Sequence, residues 1–130
     1  MRESGEMYLE TILVLSRKQN RVRAVDVATE MDISKASVSI ALGKLKNEDC
    51  ITVEPDGQLT FTEKGKAIAE KIYERHQVFS RVFMCLGVPE ETAVADACKI
   101  EHDVSDVTFN AVKAYLQRHE QALESASAGE

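Results

Sequence analysis

Near residue 50 the apolar pattern changes period, and that change narrows the possible folds more than any other feature. Ile51-Thr52-Val53 and Leu59-Thr60-Phe61 are short runs of β-branched and aromatic residues. Glu54-Pro55-Asp56-Gly57-Gln58 between them is a strong turn sequence, so the segment predicts a two-stranded hairpin. The other periodic segments are helical. Glu6 to Leu15 reads as a well-buried helix, and Arg17-Lys18-Gln19-Asn20 as a polar break. Ala24 to Met31 reads as a short helix with Val25, Val27 and Ala28 inward, followed by a tight Asp32-Ile33-Ser34 connection. Ser34 is placed to cap a second helix running to about Glu48, with Val38, Leu42 and Leu45 on its core face. Helix, short helix, turn, helix, hairpin is the order of a winged helix-turn-helix, in which the second helix of the pair enters the DNA major groove.

Beyond the hairpin the period is helical again. Thr62 can cap a long helix from about Glu63 to Leu86, which Gly87-Val88-Pro89 ends. Further helices are expected from about Glu90 to His102 and from about Ser105 to Leu123. The expected fold class is mainly α: a winged helix-turn-helix over residues 1–65, a helical domain over 66–123, and a frayed, disordered tail over 124–130. No internal repeat or low-complexity segment interrupts this order.

Charge is unevenly divided. The net formal charge is −6, which at face value argues against a nucleic-acid partner. Residues 1–66 carry ten Lys or Arg against eleven Asp or Glu, and residues 67–130 carry six against eleven. The acidic excess therefore belongs to the second half, and a local basic face on the first half is compatible with DNA. An acidic cluster can also bind cations. An apolar fraction of 44% predicts a folded, soluble chain. No apolar run approaches the roughly 20 residues of a membrane span, and the polar N-terminus lacks a signal-peptide core. Three irregularly spaced cysteines argue against a disulfide framework and fit a reducing compartment, so a cytoplasmic location is expected.

The outward face of the second helix of the pair offers Ser34, Lys35, Ser37, Ser39 and Lys44, with Lys46 beside them. Small hydroxyls permit close approach to phosphates and base edges, and lysines neutralise phosphate charge. Arg, Asn and Gln, which make the best bidentate base contacts, are scarce there, so backbone positioning and shape readout are expected to dominate.

A second constellation lies near the end of the next-to-last helix, in Cys98-Lys99-Ile100-Glu101-His102. Residues i, i+3 and i+4 share a helical face, which aligns a thiol, a carboxylate and an imidazole, a transition-metal donor set. Met7 and Glu10 share a face of the first helix, and His76 stands midway along the long helix. Taken singly, Met7 and Cys98 are equally good core residues, Glu10 a solvated charge and His76 a partner for a carboxylate.

Several segments together resemble the diphtheria toxin repressor and manganese transport regulator family of metal-dependent repressors. They are Glu6-Met7-Tyr8-Leu9-Glu10-Thr11-Ile12, Ser34-Lys35-Ala36-Ser37-Val38-Ser39, Leu59 to Lys66, Arg75-His76 and Ala97 to Ser105, spread from about residue 5 to 120 in the family's order. The resemblance implies that the helices after the wing form a dimerisation domain and that the partners are double-stranded operator DNA and a second copy of the chain. It also implies that Met7, Cys98, Glu101 and His102 ligate an activating divalent metal, with Glu10 and His76, bridged by Glu101, forming a neighbouring site. Two departures qualify it. The family's iron-sensing branch has an ancillary site and a third domain, whereas this chain has Ser80 and Val94 at the ancillary positions and ends before such a domain. The manganese branch has an aspartate where Met7 stands and a glutamate where Cys98 stands. Thioether and thiol donors favour Fe²⁺ over the harder Mn²⁺, so Fe²⁺ is the expected activator and Mn²⁺ the next.

The expected function is a metal-dependent repressor of metal-homeostasis genes, with no enzymatic activity, small-molecule substrate or membrane partner. The alternative is a winged-helix regulator answering a non-metal signal. A metal hydrolase finds no support in an H-E-x-x-H motif or a Ser-His-Asp set. A helical module whose wing contacts protein is a further reading.

Overall fold

The computed structural model describes residues 3–128, with side chains from 4 to 121. It divides into two compact units, Met1–Ile72 and Tyr73–Glu130. The elements are α1 (Glu3–Lys18), α2 (Ala24–Met31), α3 (Lys35–Asn47), β1 (Ile51–Val53), β2 (Leu59–Phe61), α4 (Glu63–Cys85), α5 (Glu90–Ile100) and α6 (Asp106–Ala128).

In the first unit, α1 buries Leu9, Ile12 and Leu13 at i, i+3 and i+4, and α3 buries Val38, Leu42 and Leu45 at i, i+4 and i+7. Val27 and Ala28 of α2 and Ile51 and Leu59 of the hairpin are also buried. The α2–α3 turn is made by Asp32, which ends α2 in the left-handed conformation with φ 55°, and the Ile33 N–H returns to Ala28 O at 3.1 Å. Ser34 caps α3 as expected: its hydroxyl accepts the Ser37 N–H at 3.1 Å. The wing strands pair antiparallel, Ile51 with Phe61 and Val53 with Leu59. Gly57, at φ 88°, supplies the turn's left-handed residue, and Arg21 braces the turn through Asp56 at 3.3 Å.

The base of the wing is joined to α4 with little free space. Thr62 N–H donates to Cys50 O at 3.1 Å, the Thr62 hydroxyl donates to Asp49 O at 2.7 Å, and the same hydroxyl accepts the Gly65 N–H at 3.1 Å. Gly65 lies so near Cys50 that an added Cβ would stand 1.8 Å from the Cys50 carbonyl oxygen. Burial pushes the Cys50 thiol above its ordinary pKa, which makes it an inert core group. Replacing Thr62 with valine keeps the shape and removes both hydroxyl hydrogen bonds. The expected loss is about 1–2 kcal/mol, read as a lower denaturation midpoint, with Thr62→Ser recovering most of it.

In the second unit, Val78, Phe79, Ala97, Phe109 and Leu116 form the core, with Val82, Phe83, Ile100, Val104 and Val112 packed around it. Phe79 stacks on Phe83 at 6.4 Å and meets Phe109 at 5.9 Å. Gly87 ends α4 at φ 98°, and Ser105 opens α6 by accepting the Thr108 N–H at 3.2 Å.

Several helix ends differ from expectation. α1 continues through Arg17 and Lys18, where basic residues complement the negative end of the helix dipole. α5 stops at Ile100, and α6 runs past Leu123 to Ala128. Val25 is 47% exposed instead of inward, because the α2 face is set by Val27 and Ala28. Of the tail expected at 124–130, residues 129 and 130 lie outside the described residues.

Candidate metal centre and nucleic-acid interface

α4, α5 and the turn after α5 build a polar site inside the second unit. Glu101 is the C-cap of α5, keeps right-handed helical torsions (φ −59°, ψ −25°), and is fully buried. Its Oε2 lies 2.9 Å from Nδ1 of His76, and its Oε1 lies 3.4 Å from Nε2 of His102. The His102 side chain is 1% exposed and that of His76 22%. Oε1 of Glu101 accepts no hydrogen bond among the described residues. A buried carboxylate is costly unless cationic or strongly donating groups surround it. Two imidazoles lie against it, and a neutral imidazole is a metal ligand.

Cys98 stands one helical turn before Glu101, half-buried and outside any disulfide. Because Glu101 keeps helical torsions, the i, i+3 relation between the two survives the end of α5. His102 lies beyond the helix, in the 101–103 turn, so that turn sets its ring and not the helical i+4 position. Met7 and Glu10 are half-buried, three residues apart on α1 of the first unit. Carboxylate, imidazole and thiol donors of this kind suit a divalent transition metal, and Oε1 of Glu101, buried and accepting no hydrogen bond among the described residues, is where a cation would be stabilised. These residues fit the group.

The face of α3 away from the core carries Lys35, Ser37, Ser39 and Lys44, all exposed, with Ser34 exposed at its start. The Ser34 hydroxyl is already engaged with Ser37, whose Oγ lies 2.9 Å away. Ile40 sits on the same face at 64% exposure, and the sequence reading left it out. Its signal was there: Ile40 falls outside the Val38, Leu42, Leu45 stripe. Arg75 carries no such signal, because nothing in its spacing distinguishes it from a surface arginine.

Two family descriptions match the chain consecutively. Residues 1–59 match the iron dependent repressor N-terminal DNA-binding domain, and residues 62–124 the iron dependent repressor metal-binding and dimerisation domain. The transcriptional regulator MntR of Escherichia coli O157:H7 is 33% identical over 118 residues, covering 91% of this chain and 76% of that protein. The chain belongs to the diphtheria toxin repressor and manganese transport regulator family. Its relatives in this family of metal-dependent transcriptional repressors include the iron-dependent repressor IdeR of Mycobacterium bovis, 30% identical over 105 residues, covering 80% of this chain and 46% of that protein. The solved structure of the manganese regulator SloR superposes with a TM-score of 0.78 at 27% identity, covering 87% of this chain and 53% of that one. The chain thus spans about half the length of that solved family member. The family's proteins are regulators and not enzymes. No helix among the described residues is long and apolar enough to cross a membrane.

Proposed function

We propose that the chain is a divalent-metal-activated repressor that binds double-stranded operator DNA as a homodimer and controls metal-homeostasis genes. The observation that carries this reading is the buried Glu101 carboxylate between His76 and His102, in a chain whose other unit is a winged helix-turn-helix. In this reading residues 1–65 form the reading head and 66–123 the metal-binding and dimerisation domain. Met7, Cys98, Glu101 and His102 hold the activating metal, and Glu10 and His76 share Glu101 in an adjoining site. The bound ion supplies positive charge that offsets the buried carboxylate. The protein groups do the rest: Glu101 and His102 bring the turn after α5, His76 brings α4, and Met7 and Glu10 bring the first helix of the reading head. Ligand residues on both units make metal and DNA favour one conformation, and such coupling is reciprocal.

On the DNA side, α3 enters the major groove. Lys35 and Lys44 neutralise phosphates, and Ser34, Ser37 and Ser39 permit close backbone approach. Ile40 offers an apolar contact to a thymine methyl. Chromosomal operator DNA implies a cytoplasmic site of action.

The soft donors Met7 and Cys98 favour Fe²⁺ as activator. A second reading, Mn²⁺, draws on the relatives named MntR and on SloR, a manganese regulator. Anisotropy of a labelled promoter fragment, titrated anaerobically at equal buffered free Fe²⁺ or Mn²⁺ and with chelator, tests both points. Metal is expected to tighten binding roughly 5–150-fold, with Fe²⁺ the more effective. Equal responses would remove the iron preference. A flat response to every metal would leave a winged-helix regulator of a non-metal signal.

A further inference from the structure

Arg75 is the one Lys or Arg side chain buried among the described residues, at 5% exposure. Its partners are concentrated in one place. Nη1 donates to the Glu101 carbonyl at 3.1 Å and to the Val104 carbonyl, and Nη2 donates to Asp106 Oδ1 at 2.6 Å. The guanidinium carbon lies 5.2 Å from the centre of the Phe109 ring. Two of the three hydrogen-bond partners, Glu101 and Val104, belong to the short segment that joins α5 to α6, and the third, Asp106, is the first residue of α6; the last carbonyls of α5 lack helical partners and carry the negative end of its dipole. The next residue of α4, His76, reaches the same segment at the Glu101 carboxylate, 2.9 Å away. Consecutive residues of one helix therefore hold Glu101 twice, Arg75 by its backbone and His76 by its side chain.

We propose that Arg75 is a positioning residue for the metal centre, fixing the 101–104 turn, and with it Glu101 and His102, before any ion arrives. The inference rests on the reading of Glu101 and His102 as metal ligands. A buried cation adds little net stability over an apolar side chain of equal volume. Here two of its three hydrogen bonds go to the connection that carries two ligand residues. The planar fork reaches separated acceptors from two nitrogens held in a fixed plane, a spread that the single nitrogen of a lysine ammonium does not offer. Groups that orient metal ligands typically change metal affinity 10–100-fold when removed.

The test uses the full chain, with Arg75→Lys and Asp106→Asn as variants and Mn²⁺ and Co²⁺ as probes competed against a fluorescent chelator. Metal-free melting and amide hydrogen exchange are measured alongside. In Arg75→Lys, Tm is expected to stay within a few degrees of the parent. Exchange at 101–105 should accelerate tenfold or more while the α6 core around Phe109 and Leu116 is unchanged. Affinity for both ions should fall roughly 10–100-fold. Asp106→Asn should move the same readouts in the same direction by a smaller factor. Parental metal affinity in Arg75→Lys overturns the proposal, whatever happens to Tm. Should Arg75→Lys fail to fold, parental metal affinity in Asp106→Asn overturns it. If Glu101→Gln loses metal while both variants keep it, only the role of Arg75 falls; if the parent binds neither ion, the metal centre itself falls with it.

Discussion

Replacing Gly65 with alanine is expected to destabilise the chain by about 2 kcal/mol or more, even though alanine is the better helix former. Two effects compete at this position. Gly to Ala in a helix ordinarily gains roughly 0.5–1 kcal/mol. Against it stands the Cβ, which would lie 1.8 Å from the Cys50 carbonyl oxygen, with Cys50 C at 2.7 Å and Cα at 3.0 Å. All three atoms are backbone, and that backbone is held by the Thr62 N–H on the same carbonyl. No side chain can rotate away, so either α4 or the wing must shift, and overpacking of this kind costs 1–3 kcal/mol and occasionally more. Sterics win. Gly43 is the internal control: it lies mid-α3, and an added Cβ there meets nothing within 4 Å. Gly43→Ala should gain about 0.5–1 kcal/mol from the same change of residue. Urea denaturation of the two variants should therefore move the midpoint in opposite directions. Equal shifts of one sign would show that the contact between Gly65 and Cys50 does not constrain the fold.

Glu101→Gln and His102→Ala should separate folding from regulation. Glutamine at 101 keeps the shape and removes a fully buried negative charge. Loss of the charge removes the cost of burying it, which offsets the change at its contact with His76. The metal-free variant is therefore expected to melt at or above the parental temperature and to lose the rise in Tm that added metal gives the parent. His102→Ala should remain folded and lose metal-stimulated operator binding, a change of roughly 5–150-fold in affinity at saturating metal. Metal-dependent melting and promoter anisotropy, run on the same preparations, check both. A metal-induced rise in Tm that survives Glu101→Gln, or operator binding that still responds to metal in His102→Ala, would remove these residues from the centre.

What could be read beforehand follows a physical division. Local chemistry was legible. The turn residues of the wing, the Ser34 and Thr62 caps and the Val38, Leu42, Leu45 stripe act within a few positions, and the structure bears out each. The identities of the chemically suggestive residues were legible too, since a thiol, carboxylate and imidazole at helical spacing stand out. Their mutual arrangement was not. The contact from His76 to Glu101 crosses 25 residues and depends on how α5 packs against α4, which no periodicity encodes. Arg75 looks like any arginine on an amphipathic helix until its three partners are seen. Gly65 likewise reads as a weak spot in a helix, because the Cys50 carbonyl it must clear is 15 positions away. Helix ends at Lys18, Ile100 and Ala128 slipped for the ordinary reason that fraying and dipole effects shift termini by a residue or more.

The arrangement at Glu101 has a further implication for how this sequence is constrained. A carboxylate with no exposure and one unsatisfied oxygen is locally frustrated in the metal-free chain: its environment agrees with the fold in shape and disagrees in charge. Selection for folding alone would drift position 101 toward a neutral side chain of similar volume. Selection for the regulated state would hold it acidic. A mutational scan scored once for abundance and once for promoter repression should therefore part company most sharply at this residue, and the size of that divergence would measure how much stability the regulated state forgoes.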